Sequence, residues 1–524
     1  MKPGRKYFGL FLFLLLVIVS GCDADKEEAG IITGRKPVID PDYSDVTIPP
    51  NIAPMNFIIR EDASFFTVTA TSSTGNIRIN IKSSDGKILF PEKKWQKLIK
   101  DSNGDRITIQ VNSRSDGAKS VSKYEPFYFY VSSEPIDPYL AYRLIHPGYY
   151  NWSNIRIMQR SVESFEQDAV VDNRILDMNC INCHSFNQNN PAKFMVHIRG
   201  SHGATYFAEN GSITKRDPKI DAMPGGATYP AWHPGGRFLA FSSNQVRQAF
   251  YAKPERTIEV FDLVSTMIVY DLEKNEVVLA KERDTAKYLQ TFPSWSPDGK
   301  YLYYCRALQV NTGNTMTMDD ISRTRYDIVR VSFDPETLMF GKTEVVYNAS
   351  GSGKSASFPR ISPDGRFLVF TLADYGTFPI WHREADLWLL DLETGKSKKM
   401  DLNSSDNESY HTWSSNGKWL VFSSKRTDGR STRPFFAYFN SWDSTGKPFI
   451  LPQKDPAHYY TMMESFNIPE FVTGRIMFSP HDFAAVANNE TLKAKPGNPS
   501  DSLHQWEMKQ VNARRNPGEK SIHE

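Results

Sequence analysis

The sequence predicts an all-β protein in which an N-terminal β-sandwich and a short helical segment precede a β-propeller. Three observations favour this class. Aromatic residues make up 13% of the 524 residues, Pro and Gly are frequent, and long apolar runs with helical spacing are scarce. Short runs that alternate apolar and polar residues occupy the region before residue 133. A strand-turn-strand motif then recurs four times in the second half, which is typical of a propeller or another repeat array.

Residues 1–21 have the features of a secretory signal peptide. Lys2 to Lys6 carry positive charge, and the apolar run from Leu10 to Val19 is too short to cross a bilayer. The run ends in Val19-Ser20-Gly21-Cys22, which resembles a bacterial lipobox, in which the cysteine is lipidated and becomes the first mature residue. The resemblance implies a lipid anchor at Cys22 and a place in the cell envelope at the outer membrane, either periplasmic or surface-exposed.

Residues 22–48 are predicted to form a tether behind the lipid anchor. The acidic stretch that ends in Lys26-Glu27-Glu28 resembles the surface-export signals of Bacteroidota lipoproteins. A solvated spacer without an export role is the alternative.

Residues 49–133 are predicted to form a small antiparallel β-sandwich, of an immunoglobulin-like kind. Alternating runs separated by turn-rich stretches support it, among them Phe65 to Ala70, Arg106 to Val111 and Phe127 to Val131. Such a domain would serve as a spacer or docking module, and carbohydrate binding is the alternative.

Residues 134–194 are predicted to link the sandwich to the propeller. The first part is rich in Tyr and Trp, which favours packing between domains, and Glu163 to Met178 is the best candidate for a helix. This helix would lead into Cys180-Ile181-Asn182-Cys183-His184, the C-x-x-C-H pattern that attaches a c-type haem. Cys180 and Cys183 would bond the two vinyl groups of one covalent haem c, and His184 would be the proximal iron ligand.

A redox-active pair or a disulfide between Cys180 and Cys183 is the competing interpretation of the same residues. A zinc site would need a second ligand pair, and none has suitable spacing. With Cys22 lipidated, Cys305 is left as a buried, unpaired residue of a strand.

The second axial ligand of such a haem is open at the level of sequence. The candidates are two histidines and two methionines near the motif: His197, His202, Met195 and Met223. A vacant site that admits a small ligand is the alternative.

The four repeats begin at residues 229, 292, 358 and 410, at intervals of 63, 66 and 52 residues. An aromatic residue followed by Pro begins a strand in three of them, and a tight turn such as Ser-Pro-Asp-Gly leads into an alternating apolar strand. The motifs resemble the PD40 (WD40-like) repeats of TolB-type β-propellers, most closely at Ser296 and Ser362. The resemblance implies a propeller over residues 195–480.

Two degenerate segments would complete a ring of six blades, namely Met195 to Phe207 and Ile468 to Phe478, and seven blades is the alternative. Residues 481–524 are predicted to be a mobile tail, because they are rich in Pro and charge.

The net charge of +2 gives no electrostatic reason to expect nucleic acid. The motifs of zinc peptidases and of α/β-hydrolases are absent from the sequence, which favours an electron carrier or a binding protein over a hydrolase. The main expectation is a lipid-anchored cytochrome that transfers electrons or senses redox state, with the propeller as a scaffold for an unidentified redox or envelope protein partner. The alternative is a TolB-like scaffold for envelope partners or glycans with no redox role.

Overall fold

A computed structural model of the protein describes residues 30–147, 154–253, 256–280, 287–310 and 317–497. They form an N-terminal domain and a β-propeller, so the predicted all-β propeller class is confirmed. The predicted signal peptide, Cys22 and the end of the predicted tail (498–524) lie outside the described residues. No helix within the described ranges is long and apolar enough to cross a membrane.

Two sheets and one helix build the N-terminal domain within the described residues. In chain order the elements are β1 (Gly30–Ile32), β2 (Ile39–Asp40), β3 (Val46–Ile48), β4 (Phe57–Ile59), β5 (Phe65–Thr71), β6 (Arg78–Ser83), β7 (Lys87–Ile88), α1 (Glu92–Asp101), β8 (Arg106–Arg114), β9 (Val121–Lys123) and β10 (Phe127–Val131). Strands β2, β4 and β7 form the small sheet, and the other seven form the large one.

This domain begins at Gly30, so the predicted tether of residues 22–48 is wrong from that residue onward. Strands β1 and β3 pair with β9 and β10 of the large sheet, and they are too short for alternation to reveal them. Helix α1 was also missed. It buries Trp95, Leu98 and Ile99, which follow the i, i+3, i+4 spacing of an amphipathic helix, and the Trp95 indole donates to the carbonyl of Ile52 at 2.9 Å.

Six sheets form the blades of the propeller in the described part of the chain. Their elements in chain order are β11 (Tyr139–Ile145), β12 (Arg156–Ser161) and β13 (Gln167–Asp172) of blade 1; β14 (Cys180–Phe186), β15 (Lys193–Arg199), β16 (Ala204–Glu209) and β17 (Ser212–Asp217) of blade 2; β18 (Ala227–Trp232), β19 (Phe238–Lys253), β20 (Arg256–Asp271) and β21 (Glu276–Leu279) of blade 3; and β22 (Tyr288–Trp295), β23 (Tyr301–Leu308), α2 (Met318–Arg323), β24 (Tyr326–Asp334), β25 (Met339–Phe340) and β26 (Glu344–Tyr347) of blade 4.

The remaining elements complete the ring and cover its edge. They are β27 (Ser355–Ile361), β28 (Phe367–Ala373), β29 (Asp386–Asp391) and β30 (Ser397–Lys399) of blade 5; β31 (Glu408–Trp413), β32 (Trp419–Ser424), β33 (Arg433–Ser441), β34 (Ser444–Thr445) and β35 (Phe449–Ile450) of blade 6; then α3 (His458–Thr461), β36 (Ser465–Val472), α4 (Pro480–Ala487), β37 (Leu492–Lys493) and β38 (Lys495–Pro496).

Strand β36 closes the ring. It is the inner strand of blade 1 and pairs antiparallel with β11, which lies some 320 residues earlier in the chain. The first and last parts of the propeller are therefore joined in one sheet, which removes the open edges that the ring would otherwise leave.

The closed ring shows that three of the predicted segments are wrong: the linker, the helix before the motif and the start of the mobile tail. The segment predicted as a linker, 134–194, supplies β11, β12, β13 and β14 of the propeller, because only inner strands carry the repeat motif by which the propeller was recognised. The helix predicted over Glu163 to Met178 is β13 followed by a 3₁₀ turn at Asn173–Ile175, since pairing with β12 overrides local helix propensity. The predicted mobile tail is ordered up to residue 497, where β37 and β38 pair with β17 and β21.

Each inner strand has the same bulge where it crosses the middle of the channel. The bulge is two residues long, and its first residue has a positive φ of 46–54° in five blades: Tyr229, Phe292, Phe358, Tyr410 and Ile468. The aromatic-Pro pair of the repeat is thus the bulge itself and does not begin a strand. Four of these side chains form a belt of contacting rings, with centroid distances of 4.6, 4.2 and 4.9 Å from Tyr229 through Phe292 and Phe358 to Tyr410.

The Trp of the repeat joins neighbouring blades. The indole N–H groups of Trp232, Trp295 and Trp413 donate to backbone carbonyls of the preceding inner strand, at Ser185, Ala231 and Arg360, over 3.0 to 3.1 Å. Blade 5 has Ile361 at this position and therefore lacks the bond.

Replacing one of these indoles by a phenyl ring is expected to weaken the ring of blades. Trp295→Phe keeps an aromatic side chain but leaves the Ala231 carbonyl without its indole donor, which costs about 1–3 kcal/mol. Urea unfolding followed by circular dichroism measures the loss. Trp388→Phe, at a half-buried outer-strand Trp for which the described residues supply no indole acceptor, is the matched control and should change the midpoint little. Equal effects of both variants would contradict the assignment.

A long hairpin extends from blade 3. Its strands β19 and β20 are 16 residues each, and beyond the blade they lie against blade 5. There Val246 and Val260 pack with Ile380 and Trp381 in a small separate core. We call this hairpin the arm.

Candidate functional site

The C-x-x-C-H motif lies on β14, the inner strand of blade 2, and the predicted short helical haem segment is wrong. The strand is held by antiparallel pairing with β15, in which Cys180 lies opposite Arg199 and His184 opposite Val196. The register shifts between Ile181 and His184, so Asn182 and Cys183 form the bulge. Tertiary pairing within a blade therefore sets the backbone of the motif, which sequence spacing alone could not reveal.

The motif is the blade 2 copy of the inner-strand repeat. Asn182 occupies the bulge position that carries the aromatic belt in four other blades, and Cys183 occupies the position that is Pro in four of the five other blades. His184 follows at the position held elsewhere by Ala231, Ser294, Arg360, Thr412 and Glu470. The belt is thus interrupted at Asn182, directly beside Cys183. The degenerate repeat expected at Met195 to Phe207 is the second and third strand of the same blade.

Both cysteines of the motif are buried free thiols in this structure. An Arg199 N–H lies 3.1 Å from Cys180 Sγ. Burial raises the pKa of Cys183 to about 11, against the opposing influence of Arg143 and Arg199. A thiol with a raised pKa is a poor thiolate nucleophile, so the chemistry of Cys183 does not favour the redox-pair interpretation.

His184 is buried, with 1% of its surface exposed, and neither ring nitrogen makes a hydrogen bond of normal geometry with a described residue. Burial lowers the pKa of His184 to about 3, and the Arg143 guanidinium also lowers it, against the smaller opposing effect of the Ile468 backbone on β36. The imidazole is therefore neutral, which is the form that ligates a metal. Buried polar atoms almost always have a hydrogen-bond partner. Two ring nitrogens without one therefore indicate that a ligand of the imidazole is absent from the structure.

Two arginines place positive charge around the motif. Arg143, on β11 of blade 1, is buried and donates to the carbonyls of Ile181, at 3.3 Å, and of Asn182. Arg199, on β15, contacts Cys180 and lies 3.4 Å from the Asn182 side chain. Guanidinium groups are suited to the carboxylates of haem propionates. Two thiols, a neutral imidazole and two cations are the residue types that hold a c-type haem, but the backbone of the motif is extended and the side chains of Cys180, Cys183 and His184 are buried.

The structure does not bring the four candidate distal ligands to His184. Val196 shares the sheet face of His184, so its neighbours Met195 and His197 point to the opposite face. Met195 and Met223 are buried in the core between blades 2 and 3. His197 lies 3.1 Å from the Thr205 hydroxyl, and burial lowers its pKa to about 3. His202 lies 2.7 Å from Asp177 in a loop.

Sequence reasoning also missed a buried polar cluster under the arm. Glu259 of the arm and His382 of blade 5 are both fully buried, and His382 Nε2 lies 3.1 Å from the Glu259 carboxylate. No group of three or more His, Cys, Asp or Glu side chains with metal-binding geometry occurs in the ranges that the structure covers.

No protein-family model matches the chain, and no curated protein matches its sequence significantly. Solved structures resemble it only distantly. Hydrazine synthase of Kuenenia stuttgartiensis has 15% identity and a TM-score of 0.30 over 50% of this chain, which spans 64% of that one. An auxiliary nutrient binding protein of Bacteroides thetaiotaomicron has 9% identity and a TM-score of 0.32, over 75% of this chain and 98% of that one.

A third neighbour is the β-propeller domain of Cps50 (Swd1) from Myceliophteria thermophila, with 11% identity and a TM-score of 0.29 over 50% of this chain and 67% of that one. Structural neighbours of the chain thus include β-propeller proteins. At these scores the assignment of the chain to the β-propeller class rests on its own sheet topology, six blades closed by β36.

Proposed function

We propose that the protein is a c-type haem protein of the cell envelope that transfers electrons or senses redox state. Cys180 and Cys183 bind one haem covalently, and His184 is the proximal iron ligand. Cys22 anchors the chain to the outer membrane through lipid, and the propeller presents a surface to an unidentified redox or envelope protein partner. Haem, when bound, supplies a one-electron couple at its iron.

The observation that carries this proposal is the environment of His184. Its two ring nitrogens are buried and make no hydrogen bond of normal geometry with a described residue, and they stand next to two free thiols in the attachment spacing. A structural histidine in a propeller core would be expected to donate to a carbonyl, as His411 does to Val369 at 2.8 Å in blade 6.

The residues of this chain have separate roles in the proposal. His184 is held neutral by its burial and offers a nitrogen lone pair. Arg143 and Arg199 offset the negative charge of propionates, which would be costly to bury unpaired. The anchor and its compartment rest on the lipobox of residues 19–22, and haem attachment to C-x-x-C-H in bacteria takes place outside the inner membrane.

Expression of the full chain together with a c-type maturation system tests the proposal. The expected result is haem staining of the band on a denaturing gel, a mass increase of one haem, and a pyridine haemochrome spectrum of the c type. Cys180→Ala/Cys183→Ala should lose all three signals, because no thioether can form. Cys305→Ala, which removes the buried thiol of blade 4, is the matched control and should retain them.

A variant at His184 separates attachment from iron ligation. His184→Ala is expected to keep the covalent haem while the Soret band and the reduction potential change, because the iron loses its proximal nitrogen. Folded wild-type protein without covalent haem would overturn the proposal and leave a propeller scaffold for envelope partners or glycans as the remaining function.

A further inference from the structure

The channel contains a cavity at the mouth where the inner strands end, away from Cys180 at the start of β14. Its volume is about 220 Å³. The residues that follow the bulges of five inner strands line it: Ala231, Ser294, Arg360, Thr412 and Glu470. One of the five, Arg360, is basic.

The charge of Arg360 is not cancelled by an ion pair. Its Nη1 donates to the backbone carbonyls of Pro359, at 3.0 Å, and Pro293, at 3.5 Å. Within the part of the chain that the structure describes, no carboxylate oxygen lies within 4 Å of the guanidinium, and Glu470 is the acidic side chain that acts on it from further away. A guanidinium that lines a cavity without a counter-ion attracts an anion, since desolvation makes its isolated charge costly.

The acidic group of the cavity offsets the charge of Arg360 only in part. Glu470 of β36 accepts a hydrogen bond from the backbone N–H of Phe186 at 3.1 Å. Burial raises the pKa of Glu470 to about 7, against the opposing effects of that bond and of Arg360. The raised pKa makes the protonated form accessible near neutral pH, and in that form the side chain can also donate a hydrogen bond to a ligand.

The walls of the cavity combine aromatic rings with polar side chains. Trp232, Trp295 and Trp413 line it, and their indole N–H groups are already bonded to backbone carbonyls. Phe358 and Tyr410 of the aromatic belt also line it. The cavity therefore offers one cationic anchor beside aromatic rings and a few polar groups, a combination typical of small-molecule sites.

We propose that this cavity binds a small organic carboxylate, with the Arg360 guanidinium as its ion-pair partner and Glu470 as a second hydrogen-bonding group. The carboxylate head lies against Arg360, and the apolar body lies against the tryptophan rings. The volume equals about seven water molecules and lies below the range of about 300–1,000 Å³ for drug-sized pockets, so the ligand is small. The site does not depend on the haem.

Isothermal titration calorimetry at pH 7.5 tests the proposal with pyruvate, succinate, benzoate and inorganic phosphate as separate probes. Saturable binding of at least one carboxylate, weaker by tenfold or more in Arg360→Gln, is expected. Arg366→Gln, a change on the same blade at an arginine paired with Asp391, is the matched control and should bind like the wild type. Titration of the Cys180→Ala/Cys183→Ala protein should give the same affinity, which separates this result from that of the haem proposal.

Three outcomes would overturn the proposal. These are no saturable binding of any carboxylate to the folded protein, phosphate binding as tight as that of every carboxylate, and an unchanged affinity in folded Arg360→Gln. If Arg360→Gln does not fold, Glu470→Gln decides. It removes a fractional negative charge beside the ligand and should bind the carboxylate at least as tightly as the wild type, whereas a tenfold loss would contradict the assigned geometry.

Discussion

A chain that ends at Glu464 is expected to lose the folded propeller. The truncation removes β36, which supplies the inner strand of blade 1 and the ladder that joins it to β11. Phe466, Phe471 and Val472 of this strand are buried, and their burial contributes roughly 2 kcal/mol each. The loss of about 6 kcal/mol, before any backbone hydrogen bonds are counted, is comparable with the total stability of about 5–15 kcal/mol of a typical domain.

Circular dichroism and thermal unfolding measure this effect. The expected result is a chain without a cooperative transition, because an open ring exposes two sheet edges. A chain that ends at Gly497 retains every element from β1 to β38 and is the control. A cooperative transition near the wild-type temperature in the Glu464 truncation would refute the role assigned to β36.

His382→Ala is expected to destabilise the protein by about 3–5 kcal/mol and to release the arm from blade 5. The substitution removes an imidazole cation that lies 3.1 Å from the Glu259 carboxylate, in a place where both side chains have no exposed surface. Loss of one partner of a buried ion pair costs more than the pair itself contributes, because the remaining charge stays desolvated. Urea unfolding measures the stability, and proteolysis in the arm measures its release.

The double variant Glu259→Gln/His382→Ala is the control for that result. It removes both charges, so its destabilisation should be smaller than that of His382→Ala alone. If the destabilisation of the double variant equals the sum of the two single-variant effects, the two residues do not act as a pair.

The same pair predicts a pH dependence. Burial lowers the pKa of His382, but hydrogen bonds to Glu259 and Glu384 outweigh it and raise the value to about 9. Because this pKa exceeds the unfolded value of about 6.5, the stabilisation of about 3 kcal/mol is fully present below pH 6.5 and is lost as the pH rises through 9. The wild type should therefore lose stability between pH 7 and 10 by more than the double variant does.

The repeats made most of the propeller predictable. Positions such as Pro297-Asp298-Gly299 form a tight turn in any context, and the apolar alternation after them requires a strand with buried faces. The last repeat, Ile468 to Phe478, was recognisable from its Pro and its spacing. Outer strands such as β12 and β13 carry no repeat motif, so the sequence predicted a linker there. Local sequence does not reveal that such strands join a propeller blade.

The candidate site was also predictable only in part from the sequence. Cys180, Cys183 and His184 were identifiable because their chemistry depends on residue type and spacing, which a sequence states directly. The distal candidates Met195 and His197 were chosen by nearness in sequence, but their sheet face is opposite to that of His184, since neighbouring residues of a strand alternate between faces.

By itself, the sequence determined the all-β class, the inner strands of four blades and the C-x-x-C-H motif, because all three depend on local patterns. Only the tertiary structure decided that β36 closes the ring with β11, that the motif is a propeller strand and not a helix, and that Arg360 and Glu470 meet in one cavity. The physical reason is that these features arise from pairing and packing between residues far apart in the chain. The closed ring, and not the neighbouring sequence, determines which of these residues meet.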